Sequence, residues 1–251
     1  MTFRSDSRQG FVLTELLVAV LMAAILMLGV VQMASATGRG LSLIESVSET
    51  QQSGRFAIDR MRDFIMSAGF HPTPWTEDAP VPGLSDESSD GGPGASDALV
   101  IRQWSNRNCF DLFNPALDGL GRPRFFLRIS KFERTASDNL AQTCHYGPGE
   151  SALVRQINRE GLVQGVETFQ VLYAEDTDGD RRANRLVRAG RWLDIAHVVG
   201  VELALLVASH ERVVDAPPPV LVVLDEALSP PNDGRLRRVW RATVPMGARL
   251  R

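Results

Sequence analysis

The hydrophobic pattern of the chain changes twice, from a continuous apolar run near the N-terminus to a helical stripe and then to short alternating segments. Residues 11–31 are apolar except at Thr14 and Glu15, and as a helix this run is long enough to cross the roughly 30 Å hydrocarbon core of a bilayer. Two arginines precede the run, and no Lys or Arg follows it before Arg39. The positive-inside rule therefore predicts a cytoplasmic N-terminus and an exported C-terminal part.

A second pattern predicts that the same helix continues beyond the membrane. Apolar positions recur at spacings of three and four between residues 44 and 68, as on one face of an α-helix. The stripe consists of Ile44, Val47, Gln51, Gly54, Ile58, Met61, Ile65 and Ala68. The opposite face is charged and carries Glu45, Glu49, Arg55, Asp59, Arg62 and Asp63. Because Pro72 and Pro74 follow, we expect the helix to end near Gly69 and its stripe to pack against the chain's own sheet.

The remainder of the chain has the pattern of a β-rich domain. Residues 71–97 are rich in Pro, Gly, Ser and Asp and are predicted to form a loop. The strands predicted after it are Ala98–Trp104, Arg124–Glu133, Ser151–Ile157, Gly165–Tyr173, Arg185–Val187, Val198–Ala208, Val220–Leu224 and Leu236–Val244. Prolines flank Val220–Leu224, which indicates an excursion or edge hairpin. The predicted fold class is α+β, with one long helix, transmembrane in its first half, packed on a mainly antiparallel sheet.

Composition and charge narrow the classes of function. The formal net charge is −3, so the chain as a whole lacks the excess of positive charge that favours nucleic-acid binding. The C-terminal stretch carries Arg235, Arg237, Arg238, Arg241, Arg249 and Arg251, a set that could contact phosphates. Apolar residues interrupt these arginines, and the pattern favours a strand with a charged outer face. Nucleic acid is therefore not the expected partner.

The sequence contains no recognisable catalytic constellation. His71, His145, His197 and His210 are scattered, and the chain has no nucleophile elbow, HExxH motif, P-loop or dinucleotide-binding fingerprint. His145 adjoins Cys144, but no third partner for a Cys–His enzyme is recognisable. We expect no catalytic residues and no enzyme activity.

The two cysteines, Cys109 and Cys144, are too few for a disulfide scaffold and lack the spacing of a zinc site. If the domain is exported, they are expected to form one disulfide. In the chain-entropy model a bridge of this span contributes roughly 4 kcal/mol. The alternative is two separate buried thiols.

An acidic stretch offers a candidate metal site. Asp176, Asp178 and Asp180 alternate along the chain, and such carboxylates can converge on calcium when the backbone turns tightly. An EF-hand would have Gly at the sixth place and Glu at the twelfth, where this chain has Arg181 and Val187. The alternative is a polar turn without metal, in which the Asp side chains accept hydrogen bonds from nearby backbone N–H groups. No other cofactor is expected.

The start of the chain resembles the signal of type IV prepilins and pseudopilins. The motif is Gly10-Phe11-x-x-x-Glu15 followed by Leu16-Leu17-Val18-Ala19. The resemblance implies that a prepilin peptidase cleaves between Gly10 and Phe11 and that Phe11 becomes the N-methylated terminus. It also implies that Glu15 pairs with the amino terminus of a neighbouring subunit. A carboxylate and an ammonium ion in an apolar helix bundle compensate each other, whereas each alone would be a buried charge.

Later segments resemble the PilW family of minor pilins. They are Gln51 to Ile58, Met66 to Phe70, Gly165 to Glu167 with Leu172 to Asp180, and Arg235 to Val239 with Thr243-Val244. The resemblance implies a pilin-like fold with a leader (1–10), a transmembrane and assembly helix (11–36), an amphipathic continuation (37–70) and an exported domain (71–251). It implies an inner-membrane protein with a periplasmic domain that later enters a pilus fibre or its tip. The implied partners are the prepilin peptidase, the major pilin, other minor pilins and a tip adhesin.

Several alternatives remain open. Within the same class, the chain resembles a minor pseudopilin of type II secretion. From other classes, a membrane-anchored exported enzyme and a calcium-dependent binding module fit parts of the sequence. The N-terminal run also has features of a plain single-pass anchor and of a secretory signal peptide that is cut after Ala36, although neither explains Glu15.

Overall fold

The computed structural model describes residues 13–73 and 82–247 of the chain. Gly10 and Phe11, at the predicted cleavage position, lie outside the described residues, as do Arg249 and Arg251. The chain divides into two units between Glu45 and Ser46. A single helix, α1 (Leu13–Met66), contributes its first part to one unit and its last part to the other.

In the first unit, every described residue belongs to α1 and is exposed. In the second unit, the same helix buries one face, made of Ser46, Thr50, Gly54, Ala57, Ile58, Met61, Phe64 and Ile65. The predicted stripe is therefore wrong at Ile44 and Gln51, which are both exposed. At Gly54 on this buried face, the indole ring of Trp240 lies directly against the helix.

The regular helix ends at Met66, and a turn carries the chain to Gly69. Gly69 has a φ of 74°, the left-handed conformation that favours glycine after a helix. Its N–H donates to the carbonyl of Arg102 at 2.8 Å, and the carbonyl of Phe70 accepts from Trp104 N–H at 2.9 Å. The end of the helix is thereby fixed to the first strand of the domain.

The described strands are β1 (Ala98–Ser105), β2 (Phe126–Arg134), β3 (Asn139–Gly147), β4 (Val154–Gln164), β5 (Val166–Glu175), β6 (Arg185–Val187), β7 (Val198–Arg212), β8 (Leu221–Val223), β9 (Glu226–Leu228) and β10 (Arg235–Pro245). Short 3₁₀ turns occupy Glu150–Ala152 and Ile195–His197. All strand pairs are antiparallel. They form two four-stranded sheets, in the orders β1-β2-β3-β4 and β10-β7-β5-β6, and a β8-β9 hairpin. The α+β class is confirmed, although two sheets replace the single sheet that was predicted.

Two features of the sheets differ from the predicted strands. The predicted strand Ser151–Ile157 is wrong at its start, since Glu150–Ala152 forms a 3₁₀ turn and β4 continues to Gln164. Strand β3 was not predicted. Its buried positions include Ala141, Gln142 and Cys144, so the usual alternation of large apolar and polar residues is missing.

The second unit has one main core between α1 and the two sheets. Phe64 of α1 contacts Phe132 of β2 edge-on, with the ring centroids 5.3 Å apart. The first sheet also reaches the second through Asp97, immediately before β1. Its N–H donates to the carbonyl of Phe169, and its carboxylate accepts from Val171 N–H at 2.7 Å and Gly91 N–H at 2.9 Å. Burial raises the pKa of Asp97 to about 6, although these two N–H groups act in the opposite direction.

Candidate functional site

The first half of α1 is the main candidate site, and its defining feature is an isolated carboxylate on an apolar helix. Between Leu13 and Gly38, Glu15 is the only charged residue, and it lies in the first turn of the described helix. The side chains around it are apolar and exposed; Leu16 and Leu17 are examples. This segment is long and apolar enough to cross a membrane. An apolar helix whose side chains are exposed in this way requires lipid or neighbouring helices around it.

The cleavage position between Gly10 and Phe11 and the methylation of Phe11 lie outside the described residues. They stay predictions. Glu15 is described, but its proposed partner, the terminal amine of another subunit, belongs to a different chain.

The structure explains the glycine in the Gln51 to Ile58 segment. A methyl group at Gly54 would lie 2.2 Å from Nε1 of Trp240, because the indole ring of β10 packs directly on the helix backbone. Ala57, one turn further along, is fully buried. Phe56 is more than half exposed and does not belong to this contact. The glycine therefore sets the distance between α1 and the second sheet.

The Met66 to Phe70 segment has a similar structural role. A methyl group at Gly83 would lie 2.8 Å from the backbone of both Ala68 and Gly69. Ala68 is fully buried against the core. The turn after α1 thus has close backbone neighbours on more than one side, which accounts for small residues at its centre.

Two further motif segments, distant in sequence, meet in an ion-pair cluster. Arg237 donates from Nε to Glu167 at 2.7 Å and from Nη1 to Asp233 at 2.7 Å, and Arg235 lies 3.3 Å from Glu167. The side chain of Arg237 is almost fully buried. Its hydrogen bond holds the pKa of Asp233 well below the usual range. These arginines neutralise carboxylates of their own domain, which leaves them poorly suited to bind phosphates.

The acidic loop brings Asp176, Asp178 and Asp180 together, with one carboxylate oxygen of each within 4.8 Å of the others. Asp176 accepts backbone N–H groups from Gly179 at 2.7 Å and from Arg181 at 2.8 Å. Burial would raise the pKa of Asp176, but these N–H groups hold it below its ordinary value. Arg181 adopts a φ of 67°, so the sixth place has the left-handed backbone of an EF-hand glycine.

The two other residues considered as oxygen donors for this loop have different partners. Glu175 accepts from Leu193 N–H at 2.6 Å and pairs with Arg185 at 3.1 Å. Asn184 accepts from the backbone and hydroxyl of Thr177. The loop therefore combines internal hydrogen bonds with a cluster of three carboxylates.

Cys109 and Cys144 form a disulfide, with an S–S distance of 2.04 Å and a Cα–Cα distance of 5.9 Å. The bridge lies in a small apolar cluster with Tyr146 and Ile157. Cys144 is therefore not a free thiol, which removes the nucleophile from the Cys144–His145 pair. His145 lies in β3, whereas His71 contacts Trp104 and His197 lies near Asp194. The described structure does not bring the histidines into one site.

Sequence reasoning missed a surface that the disulfide holds in place. Residues 106–125, which connect β1 and β2, carry large apolar side chains that are more than half exposed: Phe110, Leu112, Phe113, Leu117 and Leu120. We call this segment the apolar loop. The available signal was the density of large apolar residues around Asn108, Asn114 and Asp118, three residues of types that commonly form turns.

A comparison with curated proteins finds no match. Among solved structures, the Type IV-like pilin TTHA1219 from Thermus thermophilus is similar over 84% of this chain and 100% of that chain, with 19% sequence identity and a TM-score of 0.47. A comparison with family models gives a match over residues 144–247 to PilW, described as Type IV Pilus-assembly protein W. This match confirms, over residues 144–247, the resemblance to the PilW family that the sequence motifs indicate.

Proposed function

We propose that this protein is a minor pilin that takes part in type IV pilus assembly after cleavage by a prepilin peptidase. The observation that carries the proposal is the exposed apolar stretch of α1 from Leu13 to Gly38, in which Glu15 is the only charged residue. The match of residues 144–247 to a pilus-assembly family supports it. The proposed activity is assembly rather than catalysis.

In this proposal, cleavage on the cytoplasmic side leaves the apolar helix attached, so that the processed chain stays in the inner membrane with its domain in the periplasm. It then joins the major pilin and other minor pilins in a priming or tip complex, which a tip adhesin accompanies. Glu15 pairs there with the methylated amine of a neighbouring subunit. Each charge removes the desolvation cost of the other in a bundle without water.

The proposal is tested with Glu15→Leu in the full-length chain, with Glu49→Leu as the matched control on the exposed face of the other half. We expect both variants to be cleaved. Glu15→Leu should be absent from sheared fibres, whereas Glu49→Leu should be incorporated as the unaltered chain is. Incorporation of Glu15→Leu at the normal level would contradict the proposal.

The second candidate is a minor pseudopilin of type II secretion, because the same helix serves both kinds of assembly. A deletion distinguishes them. Loss of pili and twitching motility with normal enzyme secretion supports the pilus, and the reverse pattern supports the secretion system.

A further inference from the structure

Internal hydrogen bonds restrain the apolar loop, residues 106–125, while its large apolar side chains stay exposed. The side-chain oxygen of Asn108 accepts from Phe110 N–H at 3.0 Å and Leu112 N–H at 3.1 Å. The carboxylate of Asp118 makes a second turn of the same kind, accepting from Leu120 N–H at 2.9 Å. Between the turns, the buried Asn114 donates to the carbonyl of Arg124 at 2.9 Å.

The first of these turns is also fixed to the sheet. Cys109 forms the disulfide to β3, and its N–H donates to the side chain of Gln156 on β4 at 3.0 Å. A flexible loop could turn its apolar groups inward, but this one is cross-linked within the exposed turn. The loop is thus already ordered before it meets a partner. Binding would therefore cost less conformational entropy than binding by a flexible loop.

Three arginines that adjoin the loop lie over aromatic rings. Arg107 lies over the Phe113 ring at 4.0 Å and donates to the carbonyl of Asp111. Arg128 donates to the carbonyl of Asn108 and lies over Phe64 at 4.8 Å, the same distance as Arg60 of α1 from that ring.

Among the described residues, no carboxylate is within ion-pair distance of Arg60, Arg107 or Arg128. Burial lowers the pKa of Arg128 to about 10, and the positive charge of Arg60 acts in the same direction, whereas the carboxylate of Asp111 acts in the opposite one. A further carboxylate supplied from outside would favour the charged form of Arg128.

We propose that the apolar loop and the adjoining Arg60, Arg107 and Arg128 form the docking surface for an apolar face, carrying carboxylates, of a different pilus subunit. The proposal rests on the proposed function of this chain in pilus assembly. The excess of cations favours a partner surface that carries carboxylates, and the exposed Phe and Leu side chains favour one that is also apolar. Asp111 and Asp118 also lie within the loop turns, so cations and carboxylates are interspersed on this surface. A protein face can place its carboxylates opposite the arginines alone, whereas a uniformly anionic membrane surface would meet the two Asp side chains as well.

The test uses the full-length chain in cells that make the pilus, with a photo-crosslinking phenylalanine analogue in place of Phe110. The matched control has the same analogue in place of Leu193, which is also highly exposed but lies far from the loop in sequence. We expect an adduct only from position 110, with a partner that mass spectrometry identifies as another chain with a prepilin-type N-terminus. Arg60→Glu with Arg107→Glu should reduce the adduct at least roughly tenfold through like-charge repulsion. Replacing the contacting acidic residue of the partner with Lys should restore the yield of the adduct.

The other outcomes overturn the inference. They are an adduct with lipid or with a second copy of this chain, equal adducts from positions 110 and 193, and an adduct that the two charge reversals leave unchanged. The mature N-terminus is measured in the same strains to separate the two proposals. A chain processed at Phe11 without the adduct refutes the docking surface alone, whereas an unprocessed chain refutes the proposed function and the docking surface with it.

Discussion

The two halves of α1 are parts of one helix with opposite surroundings. Residues 13–45 are all exposed and predominantly apolar, whereas residues 46–66 bury a single face against two sheets and expose charged residues such as Arg55 and Asp59. In the first half, none of the described residues is buried. The second half follows the ordinary rules of a water-soluble amphipathic helix. The difference indicates that the first half is suited to an apolar environment and the second to water. Only the second half contributes to the stability of the domain.

The largest expected effect comes from the same substitution made in both halves. Met61 is fully buried, while Met27 is 73% exposed. Met61→Ala should lower the free energy of unfolding by about 2–5 kcal/mol, because it removes buried methylene groups and leaves a cavity. Met27→Ala should change it by less than about 0.5 kcal/mol. Denaturation of the full-length chain in detergent micelles measures both, and similar losses would contradict the proposed division of the helix.

A second pair of substitutions compares the two halves of α1 by replacing one glycine in each with alanine. Gly54→Ala should destabilise the domain by about 1–3 kcal/mol, since the new methyl group meets the indole ring of Trp240. Gly38 has no neighbour within 4 Å, and Gly38→Ala should instead stabilise its half of the helix by up to about 1 kcal/mol. Thermal unfolding measures the stability of the domain for Gly54→Ala. The helical content of the first half of α1 is measured for Gly38→Ala. In a Trp240→Ala background the penalty of Gly54→Ala should disappear, and a persistent penalty would assign it to another contact.

The domain unit should also show a pH dependence that originates in Asp97. Its folded pKa is about 6, above the ordinary 3.8, so the folded state binds the proton more tightly than the unfolded chain. The stability that Asp97 contributes is therefore fully present below pH 3.8 and is lost as the pH rises through about 6. The difference in unfolding free energy between the unaltered chain and Asp97→Asn should fall by about 1–3 kcal/mol across this window. A difference that is constant or rises with pH would contradict this origin.

The smallest expected effect concerns the acidic loop. Asp176 already accepts several backbone N–H groups, so the turn needs no cation to hold its shape. We expect millimolar calcium to leave the melting temperature unchanged, both for the unaltered chain and for an Asp178→Asn control. A rise with calcium in the unaltered chain alone would identify the three carboxylates as a metal site and favour the calcium-dependent module.

The sequence predicted the helix, its charged face, its approximate end and most strands, because each has a strong local pattern. It misplaced the first buried turn of α1, where Ser46 and Thr50 are buried rather than Ile44 and Gln51. Local hydrophobicity cannot reveal that the sheet approaches the helix backbone at Gly54. Strand β3 was missed for a related reason, since the disulfide and polar neighbours such as Gln142 replace large apolar side chains there.

The candidate sites were predictable to different degrees. Glu15 is recognisable from the sequence because a lone carboxylate in an apolar helix is rare and costly. The ion-pair cluster of Glu167 with Arg235 and Arg237 depends on strands from different parts of the chain. Only the fold shows that these arginines are neutralised. The apolar loop likewise became recognisable as a surface only when the exposure of Phe110 and Leu120 was known.

The most direct measurement is the mass of the mature N-terminal peptide of the chain purified from cells that express a prepilin peptidase. If the uncovered half of α1 is an assembly helix that stays with the domain, this peptide begins at N-methylated Phe11. A chain that begins after Ala36, without the apolar helix, would contradict the account.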